Sequence, residues 1–189
     1  MTETGGKYAD IHKALIDRCK KNDRLAYTEL YRYFCRAIYN TCLRIVKNSD
    51  LAEDIMQETF ITAFEKIASF KGDSTFGAWL KRIAVNKSID ELRKNLLMLE
   101  PYDEILENKI VDDSDISEFG NSDLISGKIE MIRNAMNQLP DGYRIVLSLY
   151  LFEGYDHEEI AQIMGITEST SRSQFTRARQ KLTDILNNR

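Results

Sequence analysis

The stretch that most constrains how this chain folds is LLMLEPYDEILENKIVDDSDISEFGNSDLISG, residues 96–127. It holds nine acidic side chains, a single basic one (Lys109), one of the two prolines and two glycines. A segment so rich in like charge cannot line a hydrophobic core by itself. On either side the pattern reverses, and apolar residues return every three or four positions, as in helices with one buried face. The stretch therefore predicts a linker, 96–127, between two helical domains, 1–95 and 128–189. Its own apolar residues, Leu96, Leu97, Ile105, Leu106, Ile110 and Phe119, suggest that it docks on a partner.

Strand signals are weak, and the expected fold is all-α: two small helical domains joined by the acidic linker, the second a helix-turn-helix domain. Helices are expected over about 8–21, 24–47, 51–69 and 75–94, with Asp23 capping the second. NSD at 48–50 and KGDS at 71–74 are punctuation. Further helices are expected over about 128–138 and 143–152, separated by LPDG at 139–142. Asp156 and Glu159 fit a capping box opening a short helix. Gly165 suits a left-handed C-cap, and Thr167 caps the last helix.

Composition excludes several functions. The longest strongly apolar run, 145–152, is far short of the roughly 20 residues of a membrane span. The start, MTETGGKYAD, lacks a basic region followed by an apolar core, so no signal peptide and no membrane insertion are expected. Cys19, Cys35 and Cys42 form neither an even set nor a Cys-x-x-Cys pair, which fits thiols in a reducing cytoplasm. His157-Glu158 begins a metalloprotease-like pattern, but Ala161 stands where the second histidine belongs. No catalytic constellation, cofactor motif or metal site is expected, and His157 reads as a surface residue in the first turn of its helix. The net charge of −4 conceals a segregation: +4 over residues 1–95, −8 over 96–127, zero over 128–189.

GITESTSRSQFTRARQKL, residues 165–182, follows a short helix and a glycine-containing turn, which is the helix-turn-helix pattern. At about 100° per residue, Ser171, Phe175, Ala178, Leu182 and Ile185 share one stripe, the packed side. Ser169, Arg172, Ser173, Thr176, Arg179 and Gln180 lie opposite, all of them hydrogen-bonding side chains. Arginine can grip guanine through two parallel hydrogen bonds, and serine can reach bases or phosphates. Arg177 and Lys181 lie on the flank, where phosphate contact is favoured. The competing reading is a solvated basic face; the turn and caps weigh against it. Ser171 is out of place on the packed stripe.

DLAEDIMQETFITAFEKIASF, residues 50–70, spreads Ile55, Met56, Phe60, Ile61, Phe64 and Ile67 around most of its circumference. Either the helix is central to its domain, or it buries one face inside and another against a partner. FKGDSTFGAWLKRIAVNKSIDELRK, residues 70–94, sets Phe70, Phe76 and Trp79 beside Lys81, Arg82, Lys87, Arg93 and Lys94. Aromatics along a cationic track suit single-stranded nucleic acid. A core role for Phe76 and Trp79 is the open alternative.

The block AEDIMQETFITAFEKIASFKGDSTFGAWLKRIAVN closely resembles the promoter-melting domain of extracytoplasmic-function sigma factors. LPDGYRIVLSLYLFEGYDHEEIAQIMGITESTSRSQFTRARQKL resembles their C-terminal domain. The resemblance implies a factor that directs core RNA polymerase to promoter DNA and assists its opening. It implies polymerase docking through the helix around Asp54, Gln57 and Glu58. It implies capture of the minus-ten element, duplex and then melted, by Phe70, Lys71, Asp73, Ser74, Phe76, Trp79, Arg82 and Asn86. The upstream minus-thirty-five element would meet Glu168, Ser169, Arg172, Ser173, Thr176, Arg177 and Arg179. The linker would thread towards the polymerase active centre, and an anti-sigma factor is the implied regulatory partner. Ser171, and Ser169 where many relatives carry glycine, depart from the commonest pattern. A stand-alone operator-binding regulator is the alternative, but it leaves residues 70–94 without a task.

Overall fold

A computed structural model describes residues 4–98 and 123–187. Among them are eight α-helices and no strand, in two compact units divided after Met98. The first unit holds α1 (Thr4–Cys19), α2 (Arg24–Val46), α3 (Ser49–Glu65) and α4 (Phe76–Met98), with a 3₁₀ turn at Ile67–Ser69. Helix α2 packs against the other three, and α3 also packs on α4. Local chemistry sets the ends. The Asp23 carboxylate accepts from the Leu25 and Ala26 amides, and Asn48 accepts from Leu51, so orphan donors at both helix starts are satisfied. The Arg18 guanidinium, 2.7 Å from Asp23, holds that carboxyl below the usual carboxylate range.

Leu30, Ile38 and Ile45 of α2 are buried, and Phe34 on the same side of the helix is half-buried. The buried three meet Ile55, Met56 and Phe60 of α3 and Leu80, Val85 and Ile89 of α4 in the core. Buried hydroxyls are tolerated because each bonds its own helix: Thr41 donates to Ala37 O, Thr59 to Ile55 O and Ser88 to Ala84 O.

The second unit holds α5 (Asp123–Asn137), α6 (Asp141–Ser148), α7 (His157–Met164) and α8 (Glu168–Asn187). Met136, Leu139, Leu147 and Ala178 form its core, with Tyr143, Phe175, Leu182 and Ile185 against them. The helix expected over 143–152 is α-helical only to Ser148 and closes as a π turn, Leu149–Glu153, capped by Gly154. Arg144, 2% exposed, is held by Asp141 at 2.7 Å, and burial pulls its pKa below the usual arginine value against that pull. The Asp156–Glu159 capping box is formed, and Gly165 ends α7 at φ 64°, a backbone state that costs a side-chain-bearing residue but not glycine.

Both helices beside the expected linker run further than the periodicity indicated. Helix α4 continues through residues 96–98, and α5 begins at Asp123 rather than near 128. Leu96, Leu97 and Met98 are good helix formers, and nothing breaks the helix before Pro101. An aspartate is well placed at a helix N-terminus. The rest of the expected linker, 99–122, lies outside the described residues.

Candidate nucleic-acid interface

Helix α8 owes its orientation to local chemistry at its start. Thr167 Oγ1 accepts from the Thr170 amide at 3.1 Å. Ser171 and Ala178 are fully buried, and Phe175, Leu182 and Ile185 half-buried. That leaves Glu168, Ser169, Arg172, Ser173, Thr176, Arg177 and Arg179 exposed. All except Arg177 fall within an arc of roughly 140°.

The side chains on this face differ in readiness. Arg172 is tied to Glu168 one turn back, through both Nε (3.0 Å) and Nη2. Such an exposed pair contributes about 0–1 kcal/mol, so a guanine edge can displace or share it. The acid orients the guanidinium along the exposed face of α8. Ser173 donates to Thr170 O and Thr176 to Arg172 O, both at 3.0 Å. Both hydroxyls can still accept a bond from a base. Among the described residues, no hydrogen bond or ion pair engages the side chains of Arg177, Arg179 and Lys181.

His157 is not the surface residue its sequence context suggested. It is half-buried between α7 and α8. Its ring stacks on Tyr150 (4.9 Å, 23°), meets Phe175 edge-on (5.5 Å, 72°), and its Nδ1 lies 2.9 Å from Ser171 Oγ. This explains a serine on the packed stripe: the hydroxyl is buried but partnered. The pair has the spacing of a nucleophile and its base, but Ser171 is closed to any substrate.

In the first unit the predicted residues divide. Phe70 and Phe76, both expected at the nucleic-acid site, are 9% and 3% exposed and lie inside the domain. They pack with Trp79 in a triangle of ring distances 5.8, 5.2 and 5.6 Å, and Phe34 closes on Phe76 at 5.5 Å. Gly77 makes room for that ring, because a Cβ there would sit 3.0 Å from Phe34 Cε1. Lys20 donates to the Phe70 carbonyl at 2.8 Å. The triangle anchors the exposed loop that carries Lys71, Asp73 and Ser74. Half-buried Trp79 and exposed Arg82 and Asn86, at i, i+3 and i+7, share one face of α4.

On α3, Asp54, Gln57 and Glu58 are exposed on one face. The same face carries Ile61, 59% exposed and absent from the residues that the family resemblance singles out. The excess of apolar residues around this helix was the signal that pointed to it. Glu58 accepts from Lys87 of α4 at 3.1 Å, linking the α3 face to the helix that carries Trp79.

Residues 30–96 match the family described as Sigma-70 region 2, and residues 129–182 match Sigma-70, region 4. The RNA polymerase sigma-H factor of Pseudomonas aeruginosa is 30% identical over 91% of this chain and 92% of its own length. The ECF RNA polymerase sigma factor SigW of Bacillus subtilis is 31% identical over 90% and 94%. Among solved structures, the sigma factor RpoE in complex with the anti-sigma factor NepR, from Bartonella quintana, is 25% identical with a TM-score of 0.61. It covers 85% of this chain and 96% of that one. Similarity at this level along nearly the whole length, with both regions in order, places the chain in the ECF RNA polymerase sigma factors of the sigma-70 family.

Proposed function

We propose that this chain gives core RNA polymerase its choice of promoter and helps to open the DNA there. In this reading, residues 1–95 dock on polymerase through the Asp54–Gln57–Glu58 face and Ile61. The loop at 71–75, with Trp79, Arg82 and Asn86, takes an unstacked base of the minus-ten element. Residues 128–189 read the upstream element with the exposed face of α8. The acidic segment 96–127 threads between them towards the polymerase active centre. The chain needs no catalytic group, cofactor or metal, because binding energy for unpaired bases offsets unstacking and polymerase performs the chemistry. It acts in the cytoplasm, where polymerase is. An anti-sigma protein is its regulatory partner, as in the complex of the Bartonella quintana relative.

The observation that supports this best is the presence of two differently built faces in one chain. One is a polar helix face that fits a duplex groove. The other is a half-buried tryptophan beside cations, which fits a single strand. An operator-binding regulator uses only the first. A gel-shift titration with and without core polymerase tests the reading. The free chain should bind promoter DNA weakly, because its acidic linker repels phosphate, and polymerase should make binding tight and sequence-specific. Tight specific binding by the chain alone contradicts it.

A further inference from the structure

We propose that His157 is a positioning residue for promoter reading: its hydrogen bond to Ser171 fixes the rotation of α8, and thereby where Arg172 and Ser173 point. The proposal rests on the assignment of α8 as the reading helix. The rest of the packed stripe, Phe175, Ala178, Leu182 and Ile185, is apolar. Apolar contact is non-directional and holds a helix against its neighbours while resisting small rotations only weakly. A hydrogen bond loses strength steeply with angle. The bond between His157 Nδ1 and Ser171 Oγ, at 2.9 Å, is such a directional contact at the N-terminal end of the stripe. The imidazole is itself held from a third element, because it stacks on Tyr150 of the π turn, whose ring also packs on Phe175 at 4.6 Å.

The lever is short. Arg172 follows Ser171 directly. A rotation of roughly 20°, at the ~6 Å radius of a helix with its side chains, moves a side-chain tip by about 2 Å. That is enough to break one arm of a bidentate contact, whose geometry tolerates only a few tenths of an ångström. The second turn of α8 and its flank should feel the change less in affinity than in discrimination, since phosphate contacts carry little sequence information.

The test uses the full chain assembled with core polymerase, on promoters whose upstream bases are replaced one at a time. His157→Phe keeps a stacking ring without Nδ1, and Ser171→Ala removes the hydroxyl. Each should lower discrimination at the bases nearest Arg172 and Ser173 by about five-fold or more, with minus-ten discrimination unchanged. The double variant should be no worse than the poorer single, because both remove the same bond. His157→Asn, whose amide can stand near the Nδ1 position, should recover part of the loss. Unaltered discrimination in both single variants, with only a lower melting midpoint, overturns the proposal, as do losses that multiply in the double variant. A wild-type holoenzyme blind to upstream bases would instead overturn the assignment of α8, and this proposal with it.

Discussion

Phe76→Ala and Trp79→Ala, three residues apart on α4, should fail in opposite ways. Phe76 is 3% exposed, with three aromatic rings within 5.8 Å of its own. Truncating such a ring costs about 3–5 kcal/mol, a large part of the ~5–15 kcal/mol that holds a domain together. At about 4–8 °C per kcal/mol for a unit of this size, the midpoint of the first unit should fall by roughly 12 °C or more. Trp79 is half-buried, so its truncation should cost about 1–2 kcal/mol of burial. It also removes a stacking surface for a base, worth about 1–3 kcal/mol, or roughly 5- to 150-fold in open-complex stability. The assay pairs thermal unfolding of the full chain with promoter opening by the holoenzyme, read from a fluorescent base in the minus-ten element. A pre-opened template controls for later steps and should rescue Trp79→Ala in part. If Phe76→Ala left the midpoint within about 2 °C of wild type yet abolished opening, its ring would be a DNA contact and the reasoning from burial would fail. An undiminished Trp79→Ala would remove the single-strand face.

Ile61→Ser, and alanine at both Asp54 and Gln57, should weaken association with core polymerase while moving the thermal midpoint little, because all three side chains are exposed; a large stability loss with normal association would return this face to the domain interior. Arg172→Ala should cost about 1–3 kcal/mol and relax discrimination at one upstream base, whereas Lys181→Ala should weaken all sequences alike and lower the salt slope by about one, measured as holoenzyme binding at several salt concentrations. Burial, with a smaller contribution from Asp23, pushes the Cys19 thiol up to about 11. Its neutral form is thus favoured in the fold, and the stability it confers is full below the ordinary thiol range near 8.5. That contribution is lost as pH rises towards 11. Urea titrations across this window should show alkaline destabilisation that Cys19→Ala reduces; an unchanged slope in the variant would refute it.

Features set by neighbouring residues could be read directly from the sequence. Asp23, the Asp156–Glu159 box and Thr167 accept from amides within a few positions, and the Gly165 amide donates to Ala161 O, so their roles follow from residue type and spacing. The division of the α8 face follows from angle alone. What escaped depends on distant partners. Phe76 and Trp79 look alike in sequence, and the one turned inward is decided by Phe34, brought from α2 by the packing of helices. Ser171 is out of place on an apolar stripe and His157 reads as a surface residue; the bond that joins them spans 14 positions and exists only in the fold. Ile61 was visible as a surplus apolar residue, but only the packing of α3 shows which side is uncovered. The helix ends at Met98 and Asp123 lie inside the acidic stretch because helix propensity and a favourable N-terminal aspartate outweigh the charge there.

A factor that gives polymerase its promoter choice acts only with polymerase, whereas an operator-binding regulator acts alone. The most direct measurement is run-off transcription with purified core polymerase on a library of randomised promoters, with and without the full chain. Addition of the chain should select templates sharing two short elements at a fixed spacing, and transcripts should start a constant distance downstream. Transcription that the chain leaves unchanged, or enrichment of one duplex element that binds without polymerase, would contradict the account.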